Sequence, residues 1–118
     1  MAGGDGQEQA ALNLLVDHID FGMLPAEAVT APRFATTHHE DSFDPNPNRQ
    51  KTFGTPGSMI LNDNVGGVRD DLAGRGHHVE VVDTPLATPV MLHIDGETGV
   101  ISAAGDPAAR RHAAGVGS

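Results

Sequence analysis

The stretch from Asp5 to Gly22, DGQEQAALNLLVDHIDFG, places Leu12, Leu15, Val16 and Ile19 at positions i, i+3, i+4 and i+7. That spacing marks one face of an α-helix. Asp5 followed by Glu8 has the separation of a capping box, and Gly22 stands where a left-handed residue is wanted after the last turn. The reading is a helix with both ends specified, its four apolar residues serving as core or as an interface.

Working outward, Pro25 suits the first turn of a second helix, and Pro32 pushes Ala31 out of helical geometry, so this helix holds about two turns. From Thr36 to Gly57 the prolines at 45, 47 and 56 alternate with Asp44, Asn46 and Asn48. That composition predicts a long loop with at most a short strand within residues 34–43. Loops of this length in compact domains commonly act in function or clasp a partner. Ser58-Met59-Ile60-Leu61 begins a strand, and residues 65–73 form a helix stopped at Gly74-Arg75-Gly76. His77 to Val82 is a strand in which Val79 and Val81 alternate with polar neighbours. Residues 89–94 and 100–104 flank Asp95-Gly96-Glu97-Thr98-Gly99, which predicts an antiparallel hairpin. The tail from Asp106 is expected to be coil or frayed helix. The sum is an α+β class, antiparallel strands with helices on one face, in a single piece over residues 1–118 with no repeat or linker. A glycine-rich turn that opens straight into a helix, with no strand before it, gives the expectation of a cut chain.

Seven Lys and Arg against 16 Asp and Glu leave a net charge of −9. Nucleic acid and anionic membrane surfaces are therefore unsuitable partners. Leu, Ile, Val and Phe together make up about 22% of the chain, just above the level below which charged chains stay disordered. The core is thin, and without Trp or Tyr there is little aromatic mass to fill it. The absence of cysteine excludes disulfides, thiolate zinc sites and a cysteine nucleophile. No apolar run approaches a membrane span, and the residues after Met1 carry no signal-peptide pattern, so the sequence names no compartment.

Three ordered motifs say more than composition does. Gly3-Gly4-Asp5-Gly6-Gln7-x-Gln9 leads into the first helix, followed by Asp20-Phe21-Gly22-Met23 and then Ala28-Val29-x-Ala31-Pro32-Arg33-Phe34. Gly76-His77-x-Val79 and Gly99-Val100-Ile101-x-Ala103-Ala104-Gly105-Asp106-Pro107 continue the order. The series resembles the C-terminal part of the small subunit of the γ-glutamyltransferase (γ-glutamyltranspeptidase) family, over nearly the whole chain. The resemblance implies a share of the α/β/β/α sandwich of N-terminal-nucleophile hydrolases. It also implies an activity, the transfer or hydrolysis of γ-glutamyl groups such as glutathione's through an acyl-Thr intermediate. In that family the attacking Thr is the first residue of the small subunit and precedes the glycine pair. The expectation is therefore that the nucleophile, the serine pair ahead of the glycines and the large subunit's carboxylate-binding arginine all lie outside residues 1–118. The partners implied are that missing N-terminal portion, the large subunit and, in the parent, a γ-glutamyl substrate.

Gly3 and Gly4 are the expected catalytic residues. Amide attack builds an oxyanion, and backbone N–H groups at the start of a helix are a preorganised way to hold it; losing one such donor costs about 3 kcal/mol. Glycine suits the place because no Cβ keeps the backbone from the substrate. Thr36-Thr37-His38 resembles the start of the family's small subunit, but it follows the glycines, and an internal Thr lacks the free α-amine that would act as its base. It is not read as the nucleophile. His38-His39-Glu40-Asp41 and His77-His78 raise a metal site, yet adjacent strand residues face opposite ways, so each pair donates one ligand easily. Asp44-Pro45-Asn46-Pro47-Asn48 begins like a calcium loop, but Arg49 and Thr55 occupy the glycine and glutamate positions. No metal and no cofactor are expected. Arg33, and Asp106 with Arg110, read as structural.

The reading is a fragment of a γ-glutamyltransferase-like enzyme, inactive by itself. The alternatives are a standalone binding or interaction module, a nonfunctional remnant, or part of a related acylase. Self-association through strand edges left bare is expected.

Overall fold

The computed structural model describes residues 4–38, 42–43, 47–48 and 56–115. In chain order the elements are α1 (Gln7–Ile19), α2 (Pro25–Thr30), β1 (Phe34–Ala35), β2 (Ser58–Asn62), α3 (Arg69–Gly74), β3 (His78–Val82), β4 (Val90–Ile94) and β5 (Ile101–Gly105). Turns of 3₁₀ helix at Gly4–Gly6 and Asp63–Val68 lead into α1 and α3. Among the described residues no helix is long and apolar enough to cross a membrane. The class is α+β. Contacts divide the chain into two compact units, one of Met1–Ala31 with Ala87–Ser118, the other of Pro32–Leu86.

In the first unit, α1 and α2 pack with the β4–β5 hairpin. The core is Leu14, Ala28 and Val29, with Met23, Met91 and Ala104 against it. Ala28 and Val29 are sealed from water. The apolar stripe seen in the sequence does form a helix, but it does not face this core. Leu14 is 4% exposed, whereas Leu12, Leu15 and Ile19 are 63%, 49% and 69% exposed. At about 100° per residue, Ala10 and Leu14 lie on one side of α1 and the Leu12–Ile19 stripe on another. Periodicity identified the helix without saying which of its two apolar sides would be covered.

The ends of α1 also differ from expectation. Its N-cap is Gly6, with no side-chain cap; the 3₁₀ turn runs straight into the helix, which leaves Asp5 one place too early for the capping box. A carboxylate cap instead serves α2, where Glu27 Oε2 accepts the Leu24 N–H at 2.7 Å. Past α1, Gly22 takes φ +69°, as its left-handed role requires. The Met23 N–H then reaches the Asp17 carbonyl at 3.0 Å, and the His18 ring bonds the Met23 carbonyl at 2.7 Å.

The hairpin pairs as expected, with Ile94 opposite Ile101 and Met91 opposite Ala104. Asp95 organises its turn: Oδ1 accepts the N–H groups of Thr98 at 2.8 Å and Glu97 at 2.9 Å. Alternation turns Val90, Leu92 and Ile94 outward, and all three are exposed. At the end of β5, a Cβ on Gly105 would come within 2.7 Å of the Arg111 and His112 backbone, so only glycine fits there. Asp106, buried, holds the Ala108 N–H at 2.9 Å through Oδ1, the structural role expected of it, while exposed Arg110 adopts φ +55°.

The second unit is a three-stranded sheet ordered β1-β2-β3. β1 runs antiparallel to β2, but β2 and β3 are parallel, Ser58 beside His78 through Asn62 beside Val82. The antiparallel strands expected from the sequence are found in β1–β2 and β4–β5, and the β2–β3 pair is the parallel exception. The 3₁₀ turn and α3 carry the chain back to the starting edge, the crossover a parallel pair needs. Gly66 and Gly67 sit in that 3₁₀ turn, which shortens the expected helix to Arg69–Gly74. Asn62 closes the unit. Its Oδ1 accepts the Arg33 N–H, its own N–H donates to the Arg33 carbonyl, and its Nδ2 donates to the Thr84 carbonyl, at 3.0, 3.1 and 3.0 Å.

Two measurements follow from this packing. Leu14→Ala is expected to lower the unfolding free energy by about 2–5 kcal/mol, and Leu15→Ala by less than about 1 kcal/mol, in urea titrations; equal losses would reverse the assigned face of α1. The Thr98 backbone and hydroxyl, then the Glu97 N–H, hold the Asp95 carboxyl below its ordinary value of 3.8. Its contribution to stability is therefore present above pH 3.8 and lost as pH falls through the lower folded-state value. The stability difference between the unaltered chain and Asp95→Asn is expected to hold at neutral pH and vanish in acid, read from melting temperature against pH.

Candidate functional site

The proposed oxyanion donors divide between what the structure describes and what it does not. Gly3 lies outside the described residues. Gly4 begins the 3₁₀ turn with φ +51°, in the left-handed region that glycine enters without a Cβ penalty. The turn continues into the thirteen residues of α1, whose dipole places partial positive charge at this end. A donor placed this way can stabilise an anion arriving from outside the helix.

A second polar feature lies in the sheet unit. An open cleft of about 520 Å³ is bordered by Thr37, Ser58, His77, His78 and Glu80. Ser58, buried at the start of β2, accepts the Thr37 N–H at 3.0 Å and shares a hydrogen bond with the Thr37 hydroxyl at 2.9 Å. His77 contacts the Gly57 carbonyl through Nδ1 at 3.3 Å. The Gly57 carbonyl can only accept, so Nδ1 is the donor in that contact. The Thr37 nitrogen is thus an ordinary amide tied to Ser58, in keeping with the reading that Thr37 is not a nucleophile. No sequence signal linked Thr37 to Ser58, twenty-one residues away; the β1–β2 pairing brings them together.

The remaining candidates sort plainly. His77 and His78 both border this cleft, although strand alternation implied opposite faces. His77 precedes β3 and is not bound by its alternation. Arg33 is buried, with its backbone doubly bonded to Asn62, the structural role expected of it. His38 is exposed. His39, Glu40 and Asp41, and with them Asp44 to Asn46, Arg49 and Thr55, lie outside the described residues. Among the described residues no three His, Cys, Asp or Glu side chains are grouped to hold a metal ion.

Comparison with known proteins follows the same lines as the motifs. Among solved structures, LmbA2991 is similar at 25% identity and a TM-score of 0.75, over 91% of this chain and 18% of that one. The Pseudomonas nitroreducens gamma-glutamyltranspeptidase in complex with L-DON superposes with a TM-score of 0.57 at 20% identity, over 92% of this chain and 47% of that one. The Helicobacter pylori gamma-glutamyltranspeptidase, solved as a mutant, gives 0.54 at 20% identity, over 86% and 47%. The two transpeptidase likenesses bear on the fold alone, and this chain spans less than half the length of each of the three. No curated protein matches the sequence. The family model described as Gamma-glutamyltranspeptidase matches residues 1–116, nearly the entire sequence, and the chain belongs to the gamma-glutamyltranspeptidase family.

Proposed function

We propose that these 118 residues serve as the oxyanion-binding end of a larger enzyme that transfers or hydrolyses γ-glutamyl groups, such as that of glutathione, through an acyl-threonine. The nucleophilic Thr, the serines that position substrate and the carboxylate-binding arginine belong, in this proposal, to residues outside the 118. Gly3 and Gly4 present backbone N–H groups to the tetrahedral intermediate. The observation that carries the reading is the family match over residues 1–116, joined to the left-handed Gly4 at the entry of α1. Binding the oxyanion from the backbone needs no titrating group, so that part of the stabilisation is independent of pH.

The exposed surface supports a missing cover. Leu12, Leu15 and Ile19 on α1 and Val90, Leu92 and Ile94 on the hairpin are large apolar residues open to solvent. Such stripes are rare on free-standing monomers and mark surfaces meant for a partner. In this proposal the rest of the parent enzyme covers them.

Two experiments test the reading. The 118-residue polypeptide is expected to release no p-nitroaniline from γ-glutamyl-p-nitroanilide. Joined to an upstream frame that codes for the Thr-Thr-His and Ser-Ser-x-Gly-Gly junction it is expected to do so, and replacing the Gly3–Gly4 amide by an ester, which removes the Gly4 N–H and leaves the left-handed backbone of Gly4 allowed, lowers kcat about 10²- to 10³-fold. Release by the polypeptide alone, abolished by Thr37→Ala, would move the nucleophile to Thr37 and overturn the proposal. The bare apolar stripes predict a mass above one chain in size-exclusion at 0.15 M salt, or binding of an apolar dye; a monodisperse monomer with a sharp melt and no dye binding would favour a self-sufficient module.

A further inference from the structure

The sheet of the second unit ends in a strand bonded on one side. Its order is β1-β2-β3, and among the described residues β2 is the one strand with which β3 pairs. The His78 N–H donates to the Gly57 carbonyl at 3.0 Å, so His78, Glu80 and Val82 turn their backbone groups toward β2. Alternation then turns the N–H and C=O groups of Val79 and Val81 to the outer edge. His78 and Glu80, two residues apart, share one face of the sheet, and both are exposed. An edge of this kind is a template for another strand, and its side chains decide which strand it accepts.

We propose that the outer edge of β3 binds a second copy of this chain, antiparallel about a two-fold axis at Val79. Such an axis can pass beside Val79, Glu80 or Val81. Centred on Glu80, the pairing sets the two Glu80 carboxylates directly opposite, in a non-hydrogen-bonded pair with Cα atoms about 4.5 Å apart, where like charges repel. Centred on Val81, it sets Glu80 against Val82 and gives neither carboxylate a partner. Centred on Val79, it sets His78 of each copy against Glu80 of the other. An imidazole carries an N–H in either charge state and an ionised carboxylate only accepts, so both contacts are complementary. The backbone is in phase with this register. Each Val79 N–H meets the Val79 carbonyl of the other copy, and each Val81 N–H meets the other copy's His77 carbonyl. The His77 N–H is not called upon, since it already donates to the Leu72 carbonyl at 3.1 Å. The contact is isologous, as a two-fold axis requires. Two strands of five residues bury less than the roughly 1,200 Å² of a stable interface, so the dimer is weak and forms as concentration rises.

The chain contains no cysteine, so Val79→Cys and Val81→Cys each introduce one thiol into the 118 residues. In the assigned register the two copies of position 79 have Cα atoms about 5.5 Å apart, inside the span of a disulfide. The two copies of position 81 lie roughly 14 Å apart, outside it. Under mild oxidation Val79→Cys is expected to form covalent dimer at least about tenfold faster than Val81→Cys, because only its thiols meet within the bound pair. Adding Glu80→Lys, which opposes His78 with a second cation in both contacts, slows the crosslink at position 79 about tenfold. Adding His78→Glu as well restores it. The unaltered chain supplies a readout that needs no variant: in a mixture of ¹³C-labelled and unlabelled protein, intermolecular NMR contacts join the Hα atoms of His78 and Glu80. Association through the apolar stripes of the first unit raises the mass without bringing the two copies of position 79 together, so failure here is distinguishable from failure of the missing cover. Crosslinking that is faster at position 81, equal at both positions or absent from both, with no contact between His78 and Glu80 of different copies, would overturn the proposal.

Discussion

Ala28 and Val29, in a helix of six residues, are closed off from water between α1 and the hairpin, and the first unit depends on that burial. A short helix has little stability of its own. It persists because Pro25 presets its first turn, Glu27 caps it, and Val29, when fully buried, contributes about 1.5–3 kcal/mol. The small side chain of Ala28 lets α2 lie close to β5, where Ala104 completes the contact. A larger residue at position 28 would push helix from strand and loosen the corner that His18 and Met23 tie at the end of α1.

This economy explains the surface as well as the core. With so few large apolar side chains, one would expect each to be buried, yet many are exposed on α1 and the outer hairpin face. A two-stranded hairpin with apolar residues on both faces is marginal in water unless both faces are covered. The helices supply one cover. The solved transpeptidases that resemble this chain are longer than it is, and it covers 47% of each.

The second unit is held differently, by polar bonds more than by apolar mass. Leu61 is its buried hydrophobic residue among those described, while Asn62 satisfies three backbone groups and Ser58 engages Thr37 twice. Buried or half-buried amides and hydroxyls of this kind specify register well, because a one-residue slip would leave each of them unpaired. An open cleft lies beside these polar anchors.

Local signals sufficed for the helices α1 and α2, for the hairpin and for the glycine at position 22, because each rests on contacts within a few residues: apolar period, proline geometry, turn chemistry. The family was legible too, since Gly3-Gly4-Asp5, Ala31-Pro32-Arg33 and Gly105-Asp106-Pro107 are short motifs in a fixed order. What the sequence could not determine depends on residues far apart in the chain. Which side of α1 is covered was decided by where α2 and the hairpin dock, not by the period itself, which serves Leu12 as well as Leu14. The parallel sense of β2 and β3 depends on a crossover whose path no strand pattern encodes. Thr37 and Ser58, and Asn62 with Arg33 and Thr84, come together only when strand pairing closes the long loops between them, and no spacing in the sequence measures that closure.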